Sequence, residues 1–107
     1  MNLKQSFYYR DQQLFCEKVS LQSVAEQYGT PCYVYSSNAI RENFDHFSKS
    51  FELIDPLICY AVKANSNLTV LRLLQEAGSG FDVVSTGELQ RLKRIEADPK
   101  RTIFSGV

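Results

Sequence analysis

Lys63 closes the apolar run Leu57-Ile58-Cys59-Tyr60-Ala61-Val62 and is followed by Ala64-Asn65. Read as a strand, alternation sends Ile58, Tyr60 and Val62 to one face and Cys59, Ala61 and Lys63 to the other. The first set is bulky and suits packing against helices. The second is small, which leaves a space for a lysine to point into. In α/β proteins the carboxyl ends of parallel strands are where ligand and catalytic groups gather. Withdrawal from water there disfavours an ammonium and leaves a neutral amine available for imine formation. A strand-end lysine that extends its head into solvent fits the same spacing. The pattern does not choose between the two.

Two carboxylates accompany it. Asp82 interrupts Gly80-Phe81-Asp82-Val83-Val84, and a carboxylate inside an apolar strand needs a partner. Glu88 closes Ser85-Thr86-Gly87-Glu88, a capping-box spacing in which it would return to the N–H of Ser85; a site role fits it equally. The other reactive residue types read as ordinary. Cys16, Cys32 and Cys59 are odd in number and far apart, and His46 is the only histidine. A disulfide framework or a metal site is therefore not expected, and reduced thiols in a cytoplasmic protein are. Arg91, Lys93, Arg94, Lys100 and Arg101, broken by Glu96 and Asp98, read as a solvated helix end.

The elements that must position these residues follow from the pattern. Residues 7–19 suggest two short strands about an Asp11-Gln12-Gln13 turn. Ser20 is expected to cap a helix with Leu21, Val24, Ala25 and Tyr28 on one face, stopped by Gly29 and Pro31. Residues 31–35 read as a strand leading to a helix capped at Ser36-Ser37. That helix has Ile40, Phe44, Phe47 and Phe51 as its stripe, ending before Asp55-Pro56. An alternation then begins. A strand over 57–64 precedes a helix capped by Asn67, with Val70, Leu71, Leu74 and Ala77 inward and Gly78 closing it. A strand over 81–84, a helix over 86–95 and a strand opening at 102 complete the series. Strand–helix alternation with short loops predicts parallel pairing and right-handed crossovers.

Composition sets the bounds. A chain of 107 residues, 44% hydrophobic and 22% charged, is an ordinary globular composition and excludes a disordered chain. Lys plus Arg equals Asp plus Glu at 12 each, which removes the electrostatic reason to expect nucleic acid or an anionic membrane. No apolar run is long enough to span a bilayer, and Met1-Asn2-Leu3-Lys4-Gln5-Ser6 leads into no apolar leader segment. A complete (β/α)8 barrel takes about 250 residues. The chain is expected to be the N-terminal part of a larger protein, inactive by itself.

Tyr60-Ala61-Val62-Lys63-Ala64-Asn65 resembles the lysine motif of the fold-type III pyridoxal-phosphate-dependent decarboxylases, which pair an alanine-racemase-like barrel with a β domain. Gly29-Thr30-Pro31-Cys32-Tyr33-Val34-Tyr35, Gly80-Phe81-Asp82-Val83-Val84-Ser85-Thr86-Gly87-Glu88-Leu89 and Ile103-Phe104-Ser105-Gly106-Val107 are similar to further motifs of that family, in the same order. Cys32 and Thr86 depart from the leucine and glycine more common there. The resemblance implies an α/β fold, with residues 37–107 the start of a TIM (β/α)8 barrel. Residues 1–36 would then be a segment that joins a C-terminal β domain. It implies pyridoxal 5′-phosphate as cofactor, held covalently by Lys63 as the catalytic residue, with Asp82 and Glu88 beside it. An amino-acid substrate and a homodimer of the full-length protein follow. Lys63-Ala64-Asn65-Ser66-Asn67 and Thr86-Gly87-Glu88-Leu89 favour meso-2,6-diaminopimelate, giving L-lysine and CO2. Ornithine, arginine or carboxynorspermidine, or a non-catalytic regulatory relative, are the alternatives.

Overall fold

The computed structural model describes residues 5–107; the first four positions of the leader reading lie outside the described residues. The chain divides into two compact units, Met1–Ile40 and Arg41–Val107.

In the first unit, β1 (Phe7–Arg10), β2 (Gln13–Cys16) and β3 (Val19–Ser20) form an antiparallel meander. Asp11 and Gln12 both take positive φ, 50° and 63°, the two-residue geometry whose twist matches a hairpin. Gln13 thus opens β2 rather than belonging to the turn. The third strand was not expected, because two residues carry no period. α1 (Leu21–Tyr28) follows directly. Ser20 occupies its N-cap without a capping bond from its side chain; instead the Ser23 hydroxyl donates to the Ser20 carbonyl. Gly29 at φ 82° ends the helix.

Residues 31–35 join no ladder among the described residues, so the expected strand is not formed. Pro31 contributes no N–H, and Tyr33 and Tyr35 stack on each other. α2 (Ser37–Lys49) crosses from one unit to the other. Its first turn rests on two acceptors. Ser36 Oγ receives the Ala39 N–H at 3.0 Å, and Glu17 Oε1 receives Ser36 Oγ at 2.8 Å, Asn38 N–H at 2.9 Å and Ser37 Oγ at 3.2 Å. A carboxylate at a helix N-terminus also meets the positive end of the dipole. α2 stops at Lys49, two residues short of Phe51, and a 3-10 turn over Glu52–Ile54 precedes Asp55 at φ 47°.

In the second unit, β4 (Cys59–Ala61), β5 (Gly80–Val83) and β6 (Thr102–Phe104) form a parallel sheet in that order, as the alternation predicts. α3 (Leu68–Glu76) and α4 (Thr86–Arg94) are the connecting helices. Val62, Val70, Leu71, Leu74, Phe81, Val83, Leu92 and Ile95 are the buried core. Each such side chain contributes about 1.5–3 kcal/mol when fully withdrawn from water. Phe81 and Val83 mark the face of β5 that packs into this core. Gly80 and Asp82 therefore face the other way, on the side of Cys59 and Ala61. The architecture is α/β, with the sheet and helix order of a barrel's beginning.

Candidate functional site

Lys63 does not lie in a strand. β4 ends at Ala61, and Val62–Ala64 forms a single 3-10 turn, so the alternation assumed over 57–64 stops two residues before the lysine. Two interactions on either side of the turn break the strand. Val62 is fully buried, and Asn65, extended at φ −162°, turns its side chain on to α3. Asn65 Oδ1 accepts the Asn67 N–H at 3.1 Å, and Asn67 Oδ1 accepts the N–H groups of Thr69 at 2.9 Å and Val70 at 3.3 Å. Asn67 thus caps α3 as its position predicts. The Tyr60 hydroxyl donates to the Asn65 carbonyl at 3.4 Å. Lys63 is left on a short, braced bend at the carboxyl end of β4, with its side chain exposed within the described residues.

Asp82 sits in β5 with Ala61 and Ile103 as its neighbours on the flanking strands. Its Oδ1 is buried and has no hydrogen-bond partner among the described residues. An acceptor buried in that state costs about 1–3 kcal/mol, more for a charged group. Buried acceptors in native sheets nearly always meet a donor, so Asp82 stands apart among the described residues.

Glu88 does cap α4, but not in the expected way. Ser85 Oγ accepts the Glu88 N–H at 3.1 Å, while Glu88 Oε2 accepts the N–H of Val84 at 3.1 Å rather than that of Ser85. Val84 is the first residue past the β5 ladder, so its amide is free to take the carboxylate. Lys63 thus follows the end of β4, Asp82 lies within β5 beside Ala61, and Glu88 holds the residue just past the end of β5.

Sequence reasoning placed Arg91 among solvated basic residues. Arg91 Nη1 instead donates to the Ser66 carbonyl at 3.1 Å, and Arg101 Nη2 donates to the Gly78 carbonyl at 2.6 Å. These partners lie more than twenty residues away, and no local pattern points to them. His46 is exposed, and no group of three or more His, Cys, Asp or Glu side chains among the described residues could hold a metal ion. Cys16, Cys32 and Cys59 are free thiols. No helix among the described residues is long and apolar enough to cross a membrane.

Comparison with known proteins meets this geometry. Residues 37–107 match the family profile described as pyridoxal-dependent decarboxylase, pyridoxal binding domain. The diaminopimelate decarboxylase of Neisseria meningitidis serogroup B is 51% identical over 94 residues, which cover 88% of this chain and 23% of that protein. Among solved structures, AQ1208 from Aquifex aeolicus superposes with a TM-score of 0.90 at 49% identity, covering 97% of this chain and 26% of that one. The diaminopimelate decarboxylase of M. jannaschii, in co-complex with L-lysine, superposes with a TM-score of 0.89 at 33% identity, covering 95% of this chain and 25% of that one. The chain spans about a quarter of the length of the relatives it matches. With its parallel sheet, its lysine turn and a family match over residues 37–107, the chain belongs to the pyridoxal-dependent decarboxylases.

Proposed function

We propose that the protein to which this chain contributes decarboxylates meso-2,6-diaminopimelate to L-lysine and CO2, using pyridoxal 5′-phosphate. Lys63 at the carboxyl end of β4, inside the family match over residues 37–107, is the observation that carries this reading. The names of the relatives support the substrate. In this reading β4, β5 and β6 begin a (β/α)8 barrel, residues 1–36 form a segment that joins a C-terminal β domain, and the complete protein is a cytoplasmic homodimer.

The residues present fit the cofactor by their chemistry. Lys63 brings a primary amine to bond the aldehyde, and Asp82 brings a buried carboxylate oxygen that lacks a donor. When bound, pyridoxal phosphate supplies an aldehyde and a pyridinium ring that takes up the electron pair left as CO2 departs. The chain's own work is positioning and charge. Nζ of Lys63 is a nucleophile only as the neutral amine, and as the ammonium it requires an acceptor. In this reading Asp82 Oδ1, buried on the face shared with Ala61 and unpaired among the described residues, serves as that acceptor in the complete protein. Glu88 engages the Val84 N–H through Oε2, which ties the start of α4 to the end of β5.

The test uses the full-length protein with pyridoxal phosphate. CO2 release is measured with meso-diaminopimelate, ornithine and arginine, alongside borohydride trapping of the cofactor. The reading expects diaminopimelate to be preferred, trapping at Lys63, and no CO2 release from Lys63→Ala. CO2 release at the wild-type rate by Lys63→Ala overturns it, and a preference for ornithine or arginine overturns the substrate.

A further inference from the structure

The backbone that carries Lys63 has left the β-ladder, so its position depends on what holds the bend over residues 62–67. Most of those ties are local: buried Val62 beneath it, Tyr60 on the Asn65 carbonyl, and the Asn65 and Asn67 side chains on the start of α3. One comes from a different helix. Arg91 of α4 donates Nη1 to the carbonyl of Ser66, three residues after the lysine.

Arg91 also lies three residues after Glu88, which places the two on one face of α4. From that face Glu88 holds the amide of Val84, where β5 ends, and Arg91 holds the carbonyl of Ser66, beyond the end of β4. α4 thereby grips the exits of both strands. We propose that Arg91 is a positioning residue, which fixes the lysine bend relative to the strand that carries Asp82. The inference rests on the reading that Lys63 carries the cofactor. The guanidinium suits the task because its planar fork loses less freedom per hydrogen bond than an ammonium on a flexible stem.

The test compares full-length wild type, Arg91→Met and Arg91→Lys, each loaded with pyridoxal phosphate. Measured are kcat and KM for the amino-acid substrate, the rate of borohydride trapping at Lys63, and thermal melting. Misplacement of a reacting group by a fraction of an ångström costs on the order of tenfold in rate. Arg91→Met is expected to lower kcat and the trapping rate by about that factor, with KM within about twofold. Melting is expected to change little, since the bond is exposed. Arg91→Lys is expected to recover part of the trapping rate. Arg91→Met with wild-type trapping and kcat overturns the inference, as does a variant that melts early but traps normally. Should Arg91→Met not fold, Arg91→Lys carries the same comparison. Wild-type protein that traps no cofactor at Lys63 overturns the underlying reading instead, and this inference with it.

Discussion

Gly80 opens β5 on the face that carries Asp82, and its hydrogen position is occupied space. A Cβ built there would stand 2.5 Å from the Arg101 carbonyl oxygen, 2.9 Å from Cys59 Sγ and 3.3 Å from a Leu57 methyl. The Cys59 side chain can rotate, but the Arg101 carbonyl is backbone leading into β6. Gly80→Ala must therefore part β5 from its neighbours, while the Gly80 N–H is tied to the Ile58 carbonyl at 2.8 Å. Overpacking of this kind costs about 1–3 kcal/mol. Stiffening the unfolded chain returns about 0.4–1 kcal/mol. A backbone contact belongs at the upper end of the first range, so the net loss is about 2 kcal/mol. The assay is urea unfolding of the full-length protein, read as a lower midpoint at unchanged slope. Cys59→Ala in the same background removes only the sulfur contact and is expected to restore less than half of the loss. Gly80→Ala within about 0.5 kcal/mol of wild type would refute the packing argument. Full rescue by Cys59→Ala would refute the part assigned to the Arg101 carbonyl.

Glu17→Ala removes the oxygen that receives Ser36, Ser37 and Asn38 at the start of α2, and is expected to cost about 2 kcal/mol by urea midpoint, with Glu17→Gln costing about half as much. A loss below about 0.5 kcal/mol for the alanine variant counts against that role. Burial first, and the Glu17 carboxylate second, push the Cys16 thiol above its ordinary range. Iodoacetamide is accordingly expected to modify exposed Cys32 on the order of tenfold faster than Cys16 near pH 8. The same shift favours the protonated thiol in the folded state. Its contribution to stability is complete below the ordinary thiol range and fades as pH rises through the raised value, so Cys16→Ala should flatten stability against pH in that alkaline window. Equal modification rates at the two cysteines would exclude the shift.

Periodicity carried the fold further than it carried the site. The α3 stripe of Val70, Leu71 and Leu74, the Asn67 cap and the parallel β4-β5-β6 order all come from patterns that burial enforces. The alternation failed where a local hydrogen bond outweighed it. Asn65 and Asn67 offer side-chain acceptors that convert the expected end of a strand into a bend, and nothing in an apolar run signals this. The 31–35 segment has the composition of a strand, but a strand exists only with a partner, and pairing is not written in the segment itself. Glu88 was legible as a cap, yet its choice of Val84 over Ser85 depends on where the β5 ladder ends. Arg91 was not legible at all, because its partner is a backbone carbonyl in the loop before α3, twenty-five residues away.

The two residues that break local rules are the ones on which the proposed chemistry rests. A lysine at the end of an apolar run could extend into water, and by sequence alone that reading stays open. Asp82 narrows it. The hairpin unit and the parallel unit otherwise satisfy their buried polar side chains among the described residues, down to Ser79, whose hydroxyl reaches the Gly80 carbonyl at 2.6 Å. Against that background one carboxylate oxygen, Asp82 Oδ1, is buried and unpaired among the described residues. It lies in the strand next to β4, on the face shared with Ala61, two residues before Lys63. A cationic or N–H donor supplied at that edge would pair it, and the amine that a pyridoxal-dependent decarboxylase requires is such a donor. The unmet hydrogen bond is local and its remedy is chemical, which is why packing arguments predict the helices of this chain and not its purpose.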